Sequence, residues 1–225
     1  MKIGVASRRW VVGVLCACAA AFSVAVTSDA DACINVTRAE MNRHVQFVRS
    51  SQTALDNGDP RRAIAILDQL PSVRGMLSLD DEAVNRDDLG FEFVEDKFLV
   101  ARMRRIYALA LVRTRPRALP GQQPSSDLAL ADRIIQRALD IAKKNDQEPE
   151  PSLWADYAEV KAAVGNERTA TPILRWLATG DLMGNAHAYA QLARIETAAG
   201  NTEAATLATE RCQKMAKQKS ICVAR

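Results

Sequence analysis

The residue types that usually carry catalysis are sparse in this chain. Its 225 residues include two histidines, His44 and His187, and five cysteines. Both histidines fall in stretches that read as helix, and neither has a HExxH, Cys/His or His/Asp spacing around it. A metal-ligand set or a proton relay needs such partners within reach, so each histidine is expected as a surface or groove residue. There is no Gly-x-Ser-x-Gly elbow, no P-loop and no Gly-x-Gly-x-x-Gly run. No catalytic residue, metal or cofactor is therefore expected.

The acidic stretch from Pro71 to Glu92 offers the nearest approach to a metal loop. Asn85-Arg86-Asp87-Asp88-Leu89-Gly90 through Asp96 puts a carboxylate or amide at the first, third and twelfth places of a calcium loop, with glycine sixth. Leu89 occupies a ligand place, Glu92 stands where an apolar anchor belongs, and Asp96 is shorter than the usual bidentate glutamate. Solvated acidic surface is the better reading. The rival is a metal-dependent or enzymatic protein built on the insert 80–96. Asn35-Val36-Thr37 is formally a glycosylation sequon, better used in capping a helix. Arg113-Thr114-Arg115-Pro116-Arg117 could meet phosphate or an acidic partner, but reads as a loop kept soluble by its charge.

The cysteines belong with an address label. Lys2, Arg8 and Arg9 precede an uncharged run from Trp10 to Ser28, and Ala30-Asp31-Ala32 supplies the small-x-small exit of a cleaved signal peptide, residues 1–32. The strongly apolar part, Trp10 to Val26, has 17 residues, the lower limit for a membrane span, so cleavage is preferred to an uncleaved anchor. Leu15-Cys16-Ala17-Cys18 faintly resembles a lipoprotein box, which leaves a structural envelope lipoprotein acylated at Cys18 as an alternative. Arg8-Arg9 does not complete a twin-arginine export motif. Cys33, Cys212 and Cys222 then remain for an oxidising, periplasmic or secreted compartment. On one straight helix, ten residues would separate Cys212 and Cys222 by about 15 Å, so a bridge requires the chain to fold back near Lys217 to Ser220. That local bridge is expected, and Cys33 pairing with either is the alternative.

Elements capable of positioning these residues are helical. The chain is 48% hydrophobic and 25% charged, with only 5% aromatics and much alanine, a composition suited to closely packed helices. Removing residues 1–32 takes three basic and two acidic residues from a net +3, leaving +2, too balanced to indicate nucleic acid. Thr37-Arg38-Ala39-Glu40 is a capping box for a helix to about Leu55; Asn57-Gly58 breaks it, and Asp59-Pro60 starts another, Arg61 to Leu70. A short helix is expected near Asp80 to Arg86. A long one should cover Phe93 to Arg113, with Phe98, Arg102, Ile106 and Leu109 near one stripe. The proline-rich "TRPRALPGQQPSS" holds no helix; Ser126 or Asp127 caps the next, to about Lys144, and Ser152 caps the one after.

Two Gly-Asn turns, at Gly165 and Gly200, lie 35 residues apart with matching surroundings. An aromatic stands eleven residues before each glycine (Trp154, Tyr189), an alanine seven before (Ala158, Ala193) and another five after (Ala170, Ala205). Phe47, Ser51, Gly58 and Ala63 fit the same frame. The pattern resembles the tetratricopeptide (TPR) repeat, whose period is about 34 residues. It departs from the family at the second aromatic, which falls on Ala54, Lys161 and Glu196, and at the terminal proline, which falls on Gly75, Leu182 and Lys217. A fourth, degenerate hairpin, Phe93 to Lys144, keeps only Ala131.

The resemblance implies an all-α, right-handed α-solenoid of about four stacked antiparallel hairpins over residues 33–225. Trp154 and Trp176 would be core, and Arg211, Lys214, Lys217 and Lys219 the polar outer face of the closing helix. It further implies a concave groove for a peptide or partner segment, with Asp156, Glu159, Ala162, His187, Gln191 and Arg194 nearest the ligand. The family's basic clamp for a terminal carboxylate is not reproduced at these positions. The function expected is an exported protein–protein interaction scaffold, not an enzyme, with a membrane role only if Cys18 is lipidated or the signal is uncleaved.

Overall fold

The structure is a computed structural model that describes residues 43–70, 97–119, 121–144 and 148–223. The residues expected as a signal peptide, the Thr37 capping box, the acidic insert with its expected short helix and calcium-like spacing, and Cys16, Cys18 and Cys33 lie outside the described residues. By its contacts the chain divides into Met1–His44 and Val45–Arg225, and nearly all described residues belong to the second unit.

Among the described residues the regular structure is entirely helical: α1 (43–56), α2 (Pro60–Leu67), α3 (Lys97–Thr114), α4 (Ser126–Lys144), α5 (Pro151–Ala163), α6 (Glu167–Thr179), α7 (Ala186–Ala198) and α8 (Thr202–Met215), then a 3-10 turn, Lys219–Cys222. None of these helices is long and apolar enough to cross a membrane. From α2 onward each helix packs on the next, and α3 also touches α5, as α5 touches α7. Three apolar clusters follow the chain in order. Val48, Leu55, Leu67 and Met103 belong to the first, Leu111, Leu128, Ile135 and Val160 to the second, and Leu174, Leu177, Tyr189 and Leu192 to the third.

The three glycine turns are built alike. Gly58, Gly165 and Gly200 have φ of +77°, +82° and +76°, the left-handed conformation that glycine adopts without a Cβ penalty. In each, the N–H after the glycine donates five residues back, to the carbonyls of Ala54, Lys161 and Glu196 at 2.9, 2.8 and 2.9 Å. The glycine N–H donates three back, to Leu55, Ala162 and Thr197. This bond pair satisfies carbonyls that a helix end leaves without partners. The small residues at the expected offsets, Ser51, Ala63, Ala158, Ala170, Ala193 and Ala205, are all buried, so nothing bulky separates the paired backbones. Tyr189 is buried, while Phe47 and Trp154 are partly buried against the core.

Several local expectations need correction. The helix α2 stops at Leu67, and Leu70 is buried from the turn that follows. Ser125, not Ser126 or Asp127, precedes α4, accepting from Leu128 and Ala129 N–H. Pro151 opens α5, which places Ser152 inside the first turn, its hydroxyl bonded to Glu150. Trp176 is exposed, because α6 has a single buried stripe, Ala170-Leu174-Leu177, and Trp176 is off it. Lys217 and Lys219 lie beyond α8, which ends at Met215, so they are not its outer face. Arg113, Arg115 and Arg117 do not form a merely solvated run: each is paired, with Glu159, Asp127 and Glu167 respectively.

Candidate functional site

A cavity of about 990 Å³ is lined from α1, α3, the end of α4, the start of α5, the Gly184–His187 approach to α7, and the segment Met215–Ile221. Leu55, Ile106, Leu109 and Leu153 give it apolar walls. Phe98, Ile141 and Met215 also line it, although they are 89%, 45% and 42% exposed. Two members of the expected α3 stripe, Ile106 and Leu109, are buried, while Phe98 and Arg102 are exposed, and all four face this space. Solvent-exposed carbon surface facing a concavity is what an apolar ligand would cover.

The polar side is built by pairs running from α3 to α5. Arg105 donates to the Asp156 carboxylate, and Arg113 grips Glu159 with Nε and Nη2 at 2.8 and 2.9 Å. Asn185 joins this network with both ends of its amide. Its Nδ2 donates to Glu159 Oε2 at 3.0 Å, and its Oδ1 accepts from the His187 N–H at 2.8 Å, capping α7.

Burial pushes the Glu159 carboxyl up, but the charge and hydrogen bonds of Arg113 outweigh it and hold the group below its ordinary value. Burial dominates for Asp156, whose carboxyl is pushed up to about 6 despite Arg105. Burial also pulls the His187 imidazole down to about 4, the nearby Glu159 charge only partly opposing it. The floor therefore gains negative charge at Asp156 as pH rises through about 6, with His187 neutral over that range.

The six residues expected nearest a ligand divide. Asp156 and His187 line the cavity. Glu159 is buried beneath Arg113 and Asn185, and Ala162 is in the core. Gln191 and Arg194 belong to a separate cluster: Arg194 Nε donates to Gln191 and its Nη1 to Glu167 at 2.8 Å, while Arg117 reaches the same Glu167 oxygen. Asp156 and Gln191 share a position in the repeat frame, as do Glu159 and Arg194, but only the α5 members face α3. The sequence pattern did not single out Arg105 or Asn185. Their signal was faint: Arg105 and Arg113 are two turns apart on one helix, and carboxylates one turn apart on α5 become their partners only once α3 and α5 adjoin.

Cys212 and Cys222 are joined, their α-carbons 5.7 Å apart. The chain reaches that distance because α8 ends at Met215 and the 3-10 turn folds back. Compared with protein-family models, curated proteins and solved structures, the chain matches none of them.

Proposed function

We propose that this protein is an exported, non-enzymatic scaffold of stacked TPR-like hairpins that binds an extended peptide segment of a protein partner in the cavity. One observation carries the reading: a 990 Å³ concavity with buried apolar walls keeps Phe98, Ile141 and Met215 exposed. An extended segment could lay apolar side chains there along α3 and the end of α4. The order of contacts supports the stacked arrangement: from α2 onward each helix meets the next, and the first helices of the later hairpins meet as well, α3 with α5 and α5 with α7. Binding is favoured over catalysis because the charged groups of the floor are committed to each other. Asp156 is held by Arg105, and Glu159 by Arg113 and Asn185, so neither stands as an oriented base beside a nucleophile.

The test is selection of binding peptides from a random displayed library, followed by titration against Phe98→Asp and Ile141→Asp. Both sites are exposed, so the folds should survive, and circular dichroism checks this. Affinity should fall at least tenfold; peptides that bind both variants like the parent would refute the cavity as the site. Export is tested separately by the mature N-terminus, expected at Cys33 after a cut behind Ala32. Acylation at Cys18 would instead favour the lipoprotein.

A further inference from the structure

The C-terminal segment makes a contact that no stack of hairpins requires. Beyond Met215 the backbone becomes extended at Ala216 (ψ 129°), passes Lys217 and Gln218, and turns back through Lys219–Cys222. Ala216 and Cys222 are buried and Ile221 packs beside them in the cluster shared by α5 to α8, and the 3-10 turn touches α7 and α8, so this end is seated on the last hairpin. Its outward loop meets the first. Lys217 Nζ donates to Asn57 Oδ1 at 2.9 Å, and Gln218 Nε2 donates to the Asn57 carbonyl at 3.0 Å, across 160 and 161 residues of chain. Gly58 leaves room for the Gln218 side chain where it lies: a Cβ there would be 2.7 Å from Gln218 Cδ. The same segment supplies Met215, Ala216, Lys217, Gln218 and Ile221 to the cavity lining.

We infer that Ala216–Cys222 is an oxidation-set clasp, which ties the last hairpin to the first along the cavity once the Cys212–Cys222 bond has formed. Two hydrogen bonds from exposed side chains compete with water and are weak alone. Holding the segment folded back costs chain entropy, which the covalent cross-link removes from the competing open forms. The bond forms by exchange with an oxidised dithiol. One cysteine thiolate attacks its disulfide, the other displaces the mixed disulfide, and two electrons and two protons leave with the reduced dithiol. Afterwards both cysteines are buried, at 0% and 2% exposure, so the latch is shielded from re-attack. In the dithiol form the concavity keeps its helical walls and loses the tie between its ends. This inference does not depend on what occupies the cavity.

The experiment is a distance distribution between spin labels attached by non-thiol chemistry at Ser50 and Ser220 of the full chain. The oxidised protein should give one narrow peak. Cys212→Ser/Cys222→Ser should give a longer, broader distribution with helix content retained. An unchanged narrow peak would overturn the latch. If that variant loses its helices, Lys217→Ala/Gln218→Ala with the disulfide intact takes its place. Its peak should broaden, and a peak as narrow as the parent's would overturn the tie between hairpins.

Discussion

Arg113 and Glu159 form the most enclosed ion pair among the described residues, with side chains 9% and 1% exposed. Such a pair returns little net stability over an apolar pair of equal shape, yet breaking it strands a charge. Arg113→Met should therefore cost about 3–5 kcal/mol, and Arg113→Met/Glu159→Met should recover most of that loss. Urea unfolding at pH 7 measures both, and a single variant no worse than the double would contradict the account. His187 and Asp156 make stability depend on pH in opposite senses. His187 is depressed from 6.5 to about 4, so its contribution is present above 6.5 and lost as pH falls toward 4. Asp156 is raised from 3.8 to about 6, so its contribution is present below 3.8 and lost as pH rises through 6. His187→Gln should remove about 3 kcal/mol of the acid-induced loss between pH 7 and 4. Asp156→Asn should make that loss steeper. Unfolding curves at pH 4, 5, 6 and 7 decide, and parallel profiles for wild type and both variants would defeat the assignment.

At the scale of elements, three turns share one geometry but not one tolerance. A Cβ at Gly200 would meet nothing within 4 Å, so Gly200→Ala faces only the left-handed backbone and should cost about 1 kcal/mol. A Cβ at Gly165 would lie 2.9 Å from the Leu119 carbonyl oxygen, where the proline-rich connection crosses and Ala118 N–H donates to Ala163 O. Backbone cannot swing aside like a side chain, so Gly165→Ala should cost about 2–3 kcal/mol. Equal thermal shifts in the two variants would mean that the crossing yields without penalty. Asn201 shows a second difference: Asp59 and Asn166 cap the following helix with their side chains, whereas Asn201 turns its amide to buried Glu196. Asn185 does both jobs at once, capping α7 and donating to Glu159. Asn185→Ala should cost about 2 kcal/mol, twice an ordinary cap, as measured by chemical denaturation.

For the molecule as a whole, the three apolar clusters succeed one another along the chain, so a core defect should stay local. Leu67→Ala empties a fully buried site in the first cluster and should cost about 2–5 kcal/mol. Hydrogen exchange should then rise in α1–α3 while α7 and α8 keep their protection. Uniform loss of protection across all helices would show one cooperative core in place of a series.

The spacing of aromatic, small residue, glycine and small residue was enough to locate three hairpins, because these positions answer to local rules. Glycine alone enters the left-handed turn cheaply, and only a small side chain lets two paired helices touch, so Gly58, Gly165 and Gly200 with Ser51, Ala158 and Ala193 could be read without coordinates. That a Cys212–Cys222 bridge would require a fold-back was legible for the same reason, since a straight helix cannot bring the two together. That they pair, with Cys33 the alternative, is decided by the tertiary structure. Which charges are spent in pairs was not legible. Glu159 and Arg194 occupy equivalent places in their repeats, yet one is buried under Arg113 and Asn185 and the other reaches Glu167. Trp176 and the Lys217–Asn57 contact depend likewise on which helix face is covered and which ends meet. Periodicity states which face of a helix is apolar; its neighbours are chosen by packing between segments as much as 160 residues apart.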